Sequence, residues 1–268
     1  MSYTSWRVAA RGRRLALLSA MVAASLSAAP ATAQLCATPG KDGGATNAPA
    51  AISGVVNTYY PSNGSASAGA TSIPVGTPVG GPAITAGHLL LVIQMQGATI
   101  NSSNSISYGN GSTGSGSTSR TAGTFEFVVA QGPVSSGSVP ILGAGGGGGL
   151  VNSYSHFPTT LPRRVFQVVR VPQYYSARLT GTVTATTWNG TLGGIVALDV
   201  RFFLDLDGQT ISVDGQGFRG GGGRSLGGGS GHSNTDYVRA STVPFHASKG
   251  EGFAGTPRYV FDGTSLVD

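Results

Sequence analysis

The sequence contains little charge and a single cysteine. Charged residues occupy 10% of the 268 positions, with 16 Lys and Arg against 10 Asp and Glu. Cys36 is the only cysteine, so no internal disulfide can form, and packing and hydrogen bonding must hold the fold. Four of the basic residues lie within the first 14 positions, which leaves 12 basic against 10 acidic residues in the rest of the chain. A balance of +2 leaves no basic patch for nucleic acid.

Long hydrophobic runs are also missing. A helix that spans a bilayer needs about 20 apolar residues, whereas the apolar run at residues 15–26 has only 12. Four arginines precede this run, and the small residues Ala31-Thr32-Ala33 follow it. This pattern predicts a cleavable signal peptide over residues 1–33, with Gln34 first in the mature chain. The expected location is periplasmic, cell-surface or extracellular, with no membrane-spanning segment after cleavage.

Two other export routes remain open. Arg13-Arg14 is similar to a twin-arginine signal, and Cys36 lies near enough to the cleavage point for lipidation. The residues beside them argue against both, because Ala16 stands where a bulky apolar residue is usual and Leu35 stands where a small one is required.

The composition is not that of a helical protein. The chain has 44 Gly and 14 Pro, and both residue types destabilise helix interiors. Hydrophobic residues still make up 40% of the sequence, too many for simple disorder. They occur in short bursts, which predict an all-β fold with strands over residues 55–60, 71–75, 89–95, 125–130, 165–171 and 179–187. The run 89–95 indicates a strand buried on both faces, and the alternation in 165–171 indicates a half-buried one.

These signals divide the rest of the chain into four segments. Residues 34–53 are predicted to be a flexible leader, because they show no hydrophobic periodicity. Residues 54–193 are predicted to form a β domain, either a short-strand sandwich or a barrel-like region. Within this domain, residues 101–123 are mostly Ser, Asn, Gly and Thr, which predicts a long surface loop.

Residues 194–218 follow a different pattern. Short apolar runs at 195–200, 202–206 and 210–213 are separated by Asp207-Gly208 and Asp214-Gly215, where glycine accepts the positive φ of a tight turn. Three such strands in about 20 residues match one β-helix-like rung, and they match a plain β-meander equally well. The last segment, residues 219–268, is predicted to be a Gly-rich disordered tail.

Two glycine motifs have counterparts in enzymes. Gly215-Gln-Gly-Phe-Arg-Gly220 matches the dinucleotide fingerprint, but that site also needs a helix, which the following glycines cannot form. Gly223-Arg-Ser-Leu-Gly227 matches the nucleophile elbow of hydrolases, with His232 and Asp236 nearby. A glycine tract cannot hold the geometry of a catalytic triad. We therefore predict neither activity.

Candidate metal ligands and acid–base residues are few. The four histidines, His88, His156, His232 and His246, do not have the spacing of a zinc site. The acidic residues Asp199, Asp205, Asp207 and Asp214 form one cluster in the sequence. On β-helical rungs such carboxylates can bind Ca²⁺ or serve a lyase; the simpler interpretation has Asp207 and Asp214 in Asx turns and the other two facing solvent. We predict no catalytic, cofactor-binding or metal-binding residue.

Seven motifs occur together in one family of known sequences. They are Val55-Val-Asn-Thr-Tyr-Tyr-Pro61, Leu90-Leu-Val-Ile-Gln-Met-Gln-Gly97, Gly123-Thr-Phe-Glu-Phe-Val128, Gln167-Val-Val-Arg-Val-Pro-Gln-Tyr174, Trp188-Asn-Gly190, Asp214-Gly-Gln-Gly-Phe-Arg-Gly-Gly221 and Lys249-Gly-Glu-Gly-Phe-Ala-Gly-Thr-Pro-Arg-Tyr259. As a set they resemble the N-terminal region of very large, Gly-rich secreted bacterial cell-surface proteins. These are adhesin-like or gliding-motility-associated and often carry Ig-like repeats downstream. The chain departs from the family at His88, where an acidic residue is expected, and at Arg201-Phe202-Phe203, which replaces a small-residue turn.

The resemblance implies a non-enzymatic secreted or cell-surface structural protein of adhesin-like type, with polar loops displayed on a β scaffold. It also implies a continuation past Asp268, so an inactive truncated fragment is one alternative. A polysaccharide-active β-helix enzyme that uses Asp199, Asp205 or Asp207 is the other. The expected partners are extracellular polysaccharide or surface components, without nucleic acid or cofactor.

Overall fold

The computed structural model describes residues 38–100, 117–160, 162–220, 250–255, 260–261 and 266–267. Over these residues the protein is all-β, as predicted. The strands are β1 Ala50–Val55, β2 Thr58–Pro61, β3 Ser72–Pro74, β4 Val79–Gly80, β5 Leu89–Gln96, β6 Ala98–Ile100, β7 Ser117–Arg120, β8 Phe125–Ala130, β9 Ser138–Leu142, β10 Val165–Val171, β11 Gln173–Thr184, β12 Asp199–Asp205, β13 Val260–Phe261 and β14 Leu266–Val267. The helical structure in the described ranges is one 3₁₀ turn, Gly146–Gly148. None of these residues forms a helix of the length and apolarity needed to cross a membrane.

Seven strands form an antiparallel sheet in the order β3-β9-β8-β5-β10-β2-β4, which curls into a half-barrel. β5 lies near the centre and is paired with β8 on one side and β10 on the other. Its leucines, Leu89, Leu90 and Leu91, are all buried, although they point to alternate faces. The predicted burial of this strand on both faces is therefore confirmed.

Each face of the sheet has its own hydrophobic cluster. The larger cluster contains Tyr60, Ile73, Leu90, Val92, Val128, Ile141, Tyr154, Phe166 and Val168. On the opposite face, Tyr59, Leu91 and Val169 pack against Leu192, Ile195 and Val196. The second cluster is thus closed by residues 192–196, a segment that is not itself a strand.

Buried side-chain amides hold this covering segment on the sheet. The amide of Gln167 donates to the carbonyl of Gly193 and accepts its N–H, both at 2.9 Å. Asn57 makes the same reciprocal pair with Ala197, at 2.8 and 3.1 Å. A buried peptide group without a partner would destabilise the fold, so these two side chains replace the hydrogen bonds that a neighbouring strand would supply.

β1, β11 and β12 form a second, parallel sheet in that order. The two sheets are continuous along the chain, because β10 runs into β11 through Pro172 and β1 is followed by β2 after two residues. The pairing of β11 with β12 runs Tyr174↔Val200 and then Ser176↔Phe203. Arg201 and Phe202 therefore lie opposite Tyr175 alone, which defines a β-bulge in β12.

The predicted strand boundaries agree with the structure for β8 and β10, and β5 is one residue longer than predicted. β10, however, is buried at every position rather than half-buried. Its polar residues Gln167 and Arg170 can be enclosed because each has partners, the peptide of Gly193 for the first and the carboxylate of Asp42 for the second.

The predicted flexible leader, residues 34–53, differs from the structure over residues 38–53. Ala50 begins β1, which pairs in parallel with β11, and Asp42 forms an ion pair with Arg170 of β10. Both partners lie more than a hundred residues further along the chain, so no local pattern could indicate this ordering.

The three strands predicted within residues 194–218 differ from the structure. Residues 194–218 contain one strand, β12, and an isolated parallel bridge from Ile211 to Val183, in place of three strands. The two predicted turns are present, with φ of +72° at Gly208 and +70° at Gly215. Most of the predicted disordered tail lies outside the described residues, but within 250–255 Glu251 is only 8% exposed.

Candidate functional site

The polar stretch 101–123 is connected to the centre of the sheet at both of its ends. β6 and β7, which flank residues 101–116, pair with each other. The carbonyl of Gly97, directly after β5, accepts the N–H groups of Thr121 at 2.7 Å and Ala122 at 3.1 Å, and the Thr121 hydroxyl at 3.0 Å. A Cβ on Gly97 would lie 2.2 Å from Thr121 Oγ1, so any larger residue there would displace the Thr121 hydroxyl from the Gly97 carbonyl. Residues 101–116 themselves lie outside the described residues.

A buried carboxylate lies next to the point where Gly97 holds the polar stretch. Glu251 Oε2 accepts the indole N–H of Trp188 at 2.8 Å and the Nε–H of Arg219 at 2.9 Å. Its Oε1 accepts the side-chain amide of Gln96 at 2.8 Å. The Glu251 side chain is fully buried, so the Arg219 guanidinium and the two further donors offset the cost of removing its charge from water.

The backbone around Glu251 is also held on the sheet. The N–H of Gly97 donates to Phe253 at 2.9 Å, and the N–H of Arg163 donates to Gly255 at 3.0 Å. Gly255 has φ +69°, and a Cβ there would lie 2.0 Å from the Arg163 carbonyl oxygen. Residues 250–255 therefore pack where β5 ends and the polar stretch begins.

A second buried charged cluster lies at the opposite end of β5. The guanidinium of Arg170, 2% exposed, pairs with Asp42, whose other carboxylate oxygen accepts the Gln173 N–H at 2.8 Å. The His88 ring lies 3.3 Å from the same guanidinium and accepts the Thr85 N–H at Nδ1, at 2.9 Å. Burial and the Arg170 charge lower the pKa of His88 to about 4. The imidazole is therefore neutral at pH 7, and the cluster holds the segment around Asp42 against the sheet.

The four aspartates singled out from the sequence do not converge on one point. Asp205 forms an ion pair with Arg178 at 2.8 Å, and its Oδ1 accepts the Asp207 N–H at 3.0 Å. In the next turn, the Ser212 hydroxyl accepts the Asp214 N–H at 3.2 Å. The side chains that form the turns are thus two residues earlier than predicted. Within the described ranges, no group of three or more His, Cys, Asp or Glu could hold a metal ion.

The other sequence candidates are also separated. His156 bonds to the Ser62 hydroxyl at 2.8 Å, and burial, with the charge of Arg163, lowers its pKa. Gly215, which begins the fingerprint-like motif, forms a turn. The elbow-like motif of residues 223–227 lies outside the described residues, together with His232, Asp236 and His246.

Two apolar grooves lie along residues 194–199. One, of about 580 Å³, is lined by Gly194, Ile195, Val196, Leu198, Leu204, Ile211 and Val213. The other, of about 530 Å³, is lined by Leu89, Phe127, Val171, Val196, Ala197, Leu198 and Asp199. Asp199 supplies the one carboxyl group that lines either groove. The grooves therefore lack the set of convergent polar groups that catalytic pockets carry.

Sequence analysis did not single out Glu251, Arg170 or Asp42. For Arg170 a signal exists, because it is one charge in an otherwise apolar strand core, and a buried charge requires a partner. Glu251 lies between two glycines, Gly250 and Gly252, where nothing local indicates burial.

No protein-family model, curated protein or solved structure matches this chain. Its function is therefore inferred from the residues and their geometry.

Proposed function

We propose that this chain is a non-enzymatic, exported cell-surface or matrix protein of adhesin-like type, which displays residues 101–123 for binding. The observation that supports this best is the base of that stretch. The carbonyl of Gly97 and the β6–β7 pairing attach both of its ends to the end of β5, a central and mostly buried strand of the sheet. Binding segments are typically loops on a rigid scaffold. The hydroxyl and amide groups of Ser, Asn and Thr suit polysaccharide or other polar surface components.

Export belongs to the same proposal. The arginines before residue 15, the apolar run of 12 residues and Ala31-Thr32-Ala33 support removal of residues 1–33. A low charge and a single cysteine are compatible with a site of action outside the cytoplasm.

The finer architecture is likewise proposed. The curled antiparallel sheet supports a barrel-like region over residues 54–193. The parallel order β1-β11-β12, and the bridge from Val183 to Ile211, support a β-helix-like rung that begins in residues 194–218. A lyase on this rung has less support, because the Asp205 carboxylate is already bound to Arg178 and to a turn N–H.

The test replaces residues 101–116 by an Asn-Gly turn that joins β6 directly to β7. Binding is measured by co-sedimentation of the mature chain with cellulose, chitin and bacterial cell-wall sacculi. We expect the native chain to bind at least one of them, and the variant to lose about tenfold or more in affinity with little change in Tm.

The matched control changes another exposed turn, with Ser135→Gly and Ser136→Gly. Ser136 has φ +48°, so glycine is tolerated there, and binding should stay unchanged. Equal binding by the loop replacement would contradict the proposal. Ca²⁺-dependent release of unsaturated sugars, abolished by Asp205→Ala, would establish the lyase instead.

A further inference from the structure

The bulge in β12 brings two consecutive side chains onto one aromatic ring. In a regular strand Arg201 and Phe202 would point to opposite faces, but a bulge redirects side chains. Here the Arg201 guanidinium carbon lies 5.6 Å from the centre of the Tyr175 ring. The Phe202 ring stacks on the same tyrosine, with centres 5.9 Å apart and planes at 29°. We call Tyr175, Arg201 and Phe202 the bulge surface.

The bulge surface is open to solvent. Phe202 is 58% exposed, the highest value among the large apolar side chains of the described residues, so it adds little to the core. Arg201 is exposed and forms no ion pair with any described residue, whereas its neighbour Arg178 is paired with Asp205. A largely exposed aromatic side chain therefore lies beside a cation that has no ion-pair partner among the described residues.

Tyr175, on which the other two side chains pack, is held in place before any ligand arrives. The Tyr175 N–H donates to Gly43 at 3.0 Å, and Gly40 lies against the Tyr175 Cβ. The Thr46 hydroxyl lies 3.5 Å from the Tyr175 hydroxyl. Groups that are already ordered lose less entropy on binding.

We propose that the bulge surface binds acidic polysaccharide, with a uronate residue over Phe202. One face of a pyranose ring presents axial C–H groups that pack on an aromatic face. Arg201 can bind the uronate carboxylate through two parallel hydrogen bonds, and the Tyr175 and Thr46 hydroxyls match sugar hydroxyls.

Nucleic acid fits this surface less well. Its backbone is bound by several cations at once, whereas the bulge surface offers one, Arg201, which matches the single carboxylate of one uronate residue. The ligand class rests on the proposed function as a surface-binding protein, but the site does not use residues 101–123. The two proposals can therefore fail separately.

The test is affinity gel electrophoresis of the exported full-length chain in gels that contain polygalacturonate, alginate or neutral dextran. We expect both uronate polymers to retard the native chain, and Phe202→Ala and Arg201→Gln each to weaken this about tenfold. The matched control is Phe125→Ala, because Phe125 is equally exposed, at 56%, on a different sheet. It should leave retardation unchanged.

Several results would overturn the inference. They are no retardation by either uronate polymer, equal retardation of Phe202→Ala and the native chain, or stronger binding to a single-stranded DNA oligonucleotide than to polygalacturonate. The replacement of residues 101–116 should still be retarded. If that replacement loses uronate binding while Phe202→Ala keeps it, the inference fails and the proposed function stands.

Discussion

The carboxylate of Glu251 accepts the indole N–H of Trp188 at 2.8 Å, although the two residues lie 63 positions apart in the chain. The same carboxylate binds the side chains of Gln96 and Arg219. One buried acid thus connects the end of β5, the segment after β11 and residues 250–255. The attachment of the polar stretch 101–123 depends on this connection. Gly97 donates its N–H to Phe253, close to Glu251 in the chain, and its carbonyl accepts the N–H groups of Thr121 and Ala122.

Replacing Glu251 should destabilise the whole domain. Glu251→Ala removes the acceptor of the Trp188 indole N–H and of the Arg219 Nε–H, and one of the two acceptors of the Gln96 amide. Breaking a buried ion pair typically costs about 3–5 kcal/mol. Glu251→Gln keeps one oxygen acceptor and should cost less. The free energy of unfolding can be followed in urea by the fluorescence of Trp188, the only tryptophan after residue 33. An alanine variant within about 0.5 kcal/mol of the native chain would contradict this account.

Two glycines of the same segment should respond very differently to alanine. Gly255→Ala places a Cβ 2.0 Å from the Arg163 carbonyl at φ +69°, whereas Gly252→Ala meets nothing within 4 Å. We expect Gly255→Ala to lose about 2 kcal/mol or more and Gly252→Ala to change little. Thermal unfolding with limited proteolysis measures both. Similar losses of stability in the two variants would show that residues 250–255 do not pack against Arg163 as described.

Local patterns predicted β5, β8 and β10, because each of these strands is an apolar run that can be recognised without knowing which strand it pairs with. They did not predict β1, because Ala50 is ordered by pairing with Ala177, far along the chain. The alternation in residues 165–171 suggested a half-buried strand, but β10 is buried throughout, and the Gln167 amide supplies the hydrogen bonds that a neighbouring strand would make with Gly193. Glu251 could not be found, because its partners come together only in three dimensions.

The reciprocal pair between Gln167 and Gly193 gives a third prediction. Gln167→Leu preserves bulk but leaves the buried N–H and carbonyl of Gly193 without partners, at about 1–3 kcal/mol for each unsatisfied group. Hydrogen exchange of the Gly193 amide should accelerate together with the loss of stability. Gln209→Leu is the control, because Gln209 is exposed in a turn. Unchanged protection at Gly193 would mean that Leu192 and its apolar neighbours alone hold the covering segment.

Export makes a fourth prediction that does not depend on the fold. Mass spectrometry of the protein from an extracytoplasmic fraction should find Gln34, or a residue within a few positions of it, at the N-terminus. A lipid-modified Cys36 would instead support the lipoprotein route. Retention of Met1 or Ser2 in a cytoplasmic protein would refute the signal-peptide prediction.

The buried histidine gives the last prediction, a dependence of stability on pH. Burial and the positive charge of Arg170 lower the pKa of His88 from 6.5 to about 4, and Lys41 adds to this while Asp42 opposes it. The unfolded chain takes up the proton near pH 6.5, so between about pH 4 and 6.5 it binds more protons than the folded one. The contribution of His88 is therefore complete above about pH 6.5, falls as the pH decreases to about 4, and is constant below that.

The expected loss across this window is about 1–3 kcal/mol. It should be much smaller in His88→Asn, which keeps an acceptor near the Thr85 N–H. His156 has a pKa shifted in the same direction, so the difference between the native chain and the variant isolates His88. Urea midpoints measured from pH 4 to 7.5 give both curves. Parallel curves would show that His88 is not held neutral beside Arg170, and the arrangement of charges at this end of β5 would have to be reconsidered.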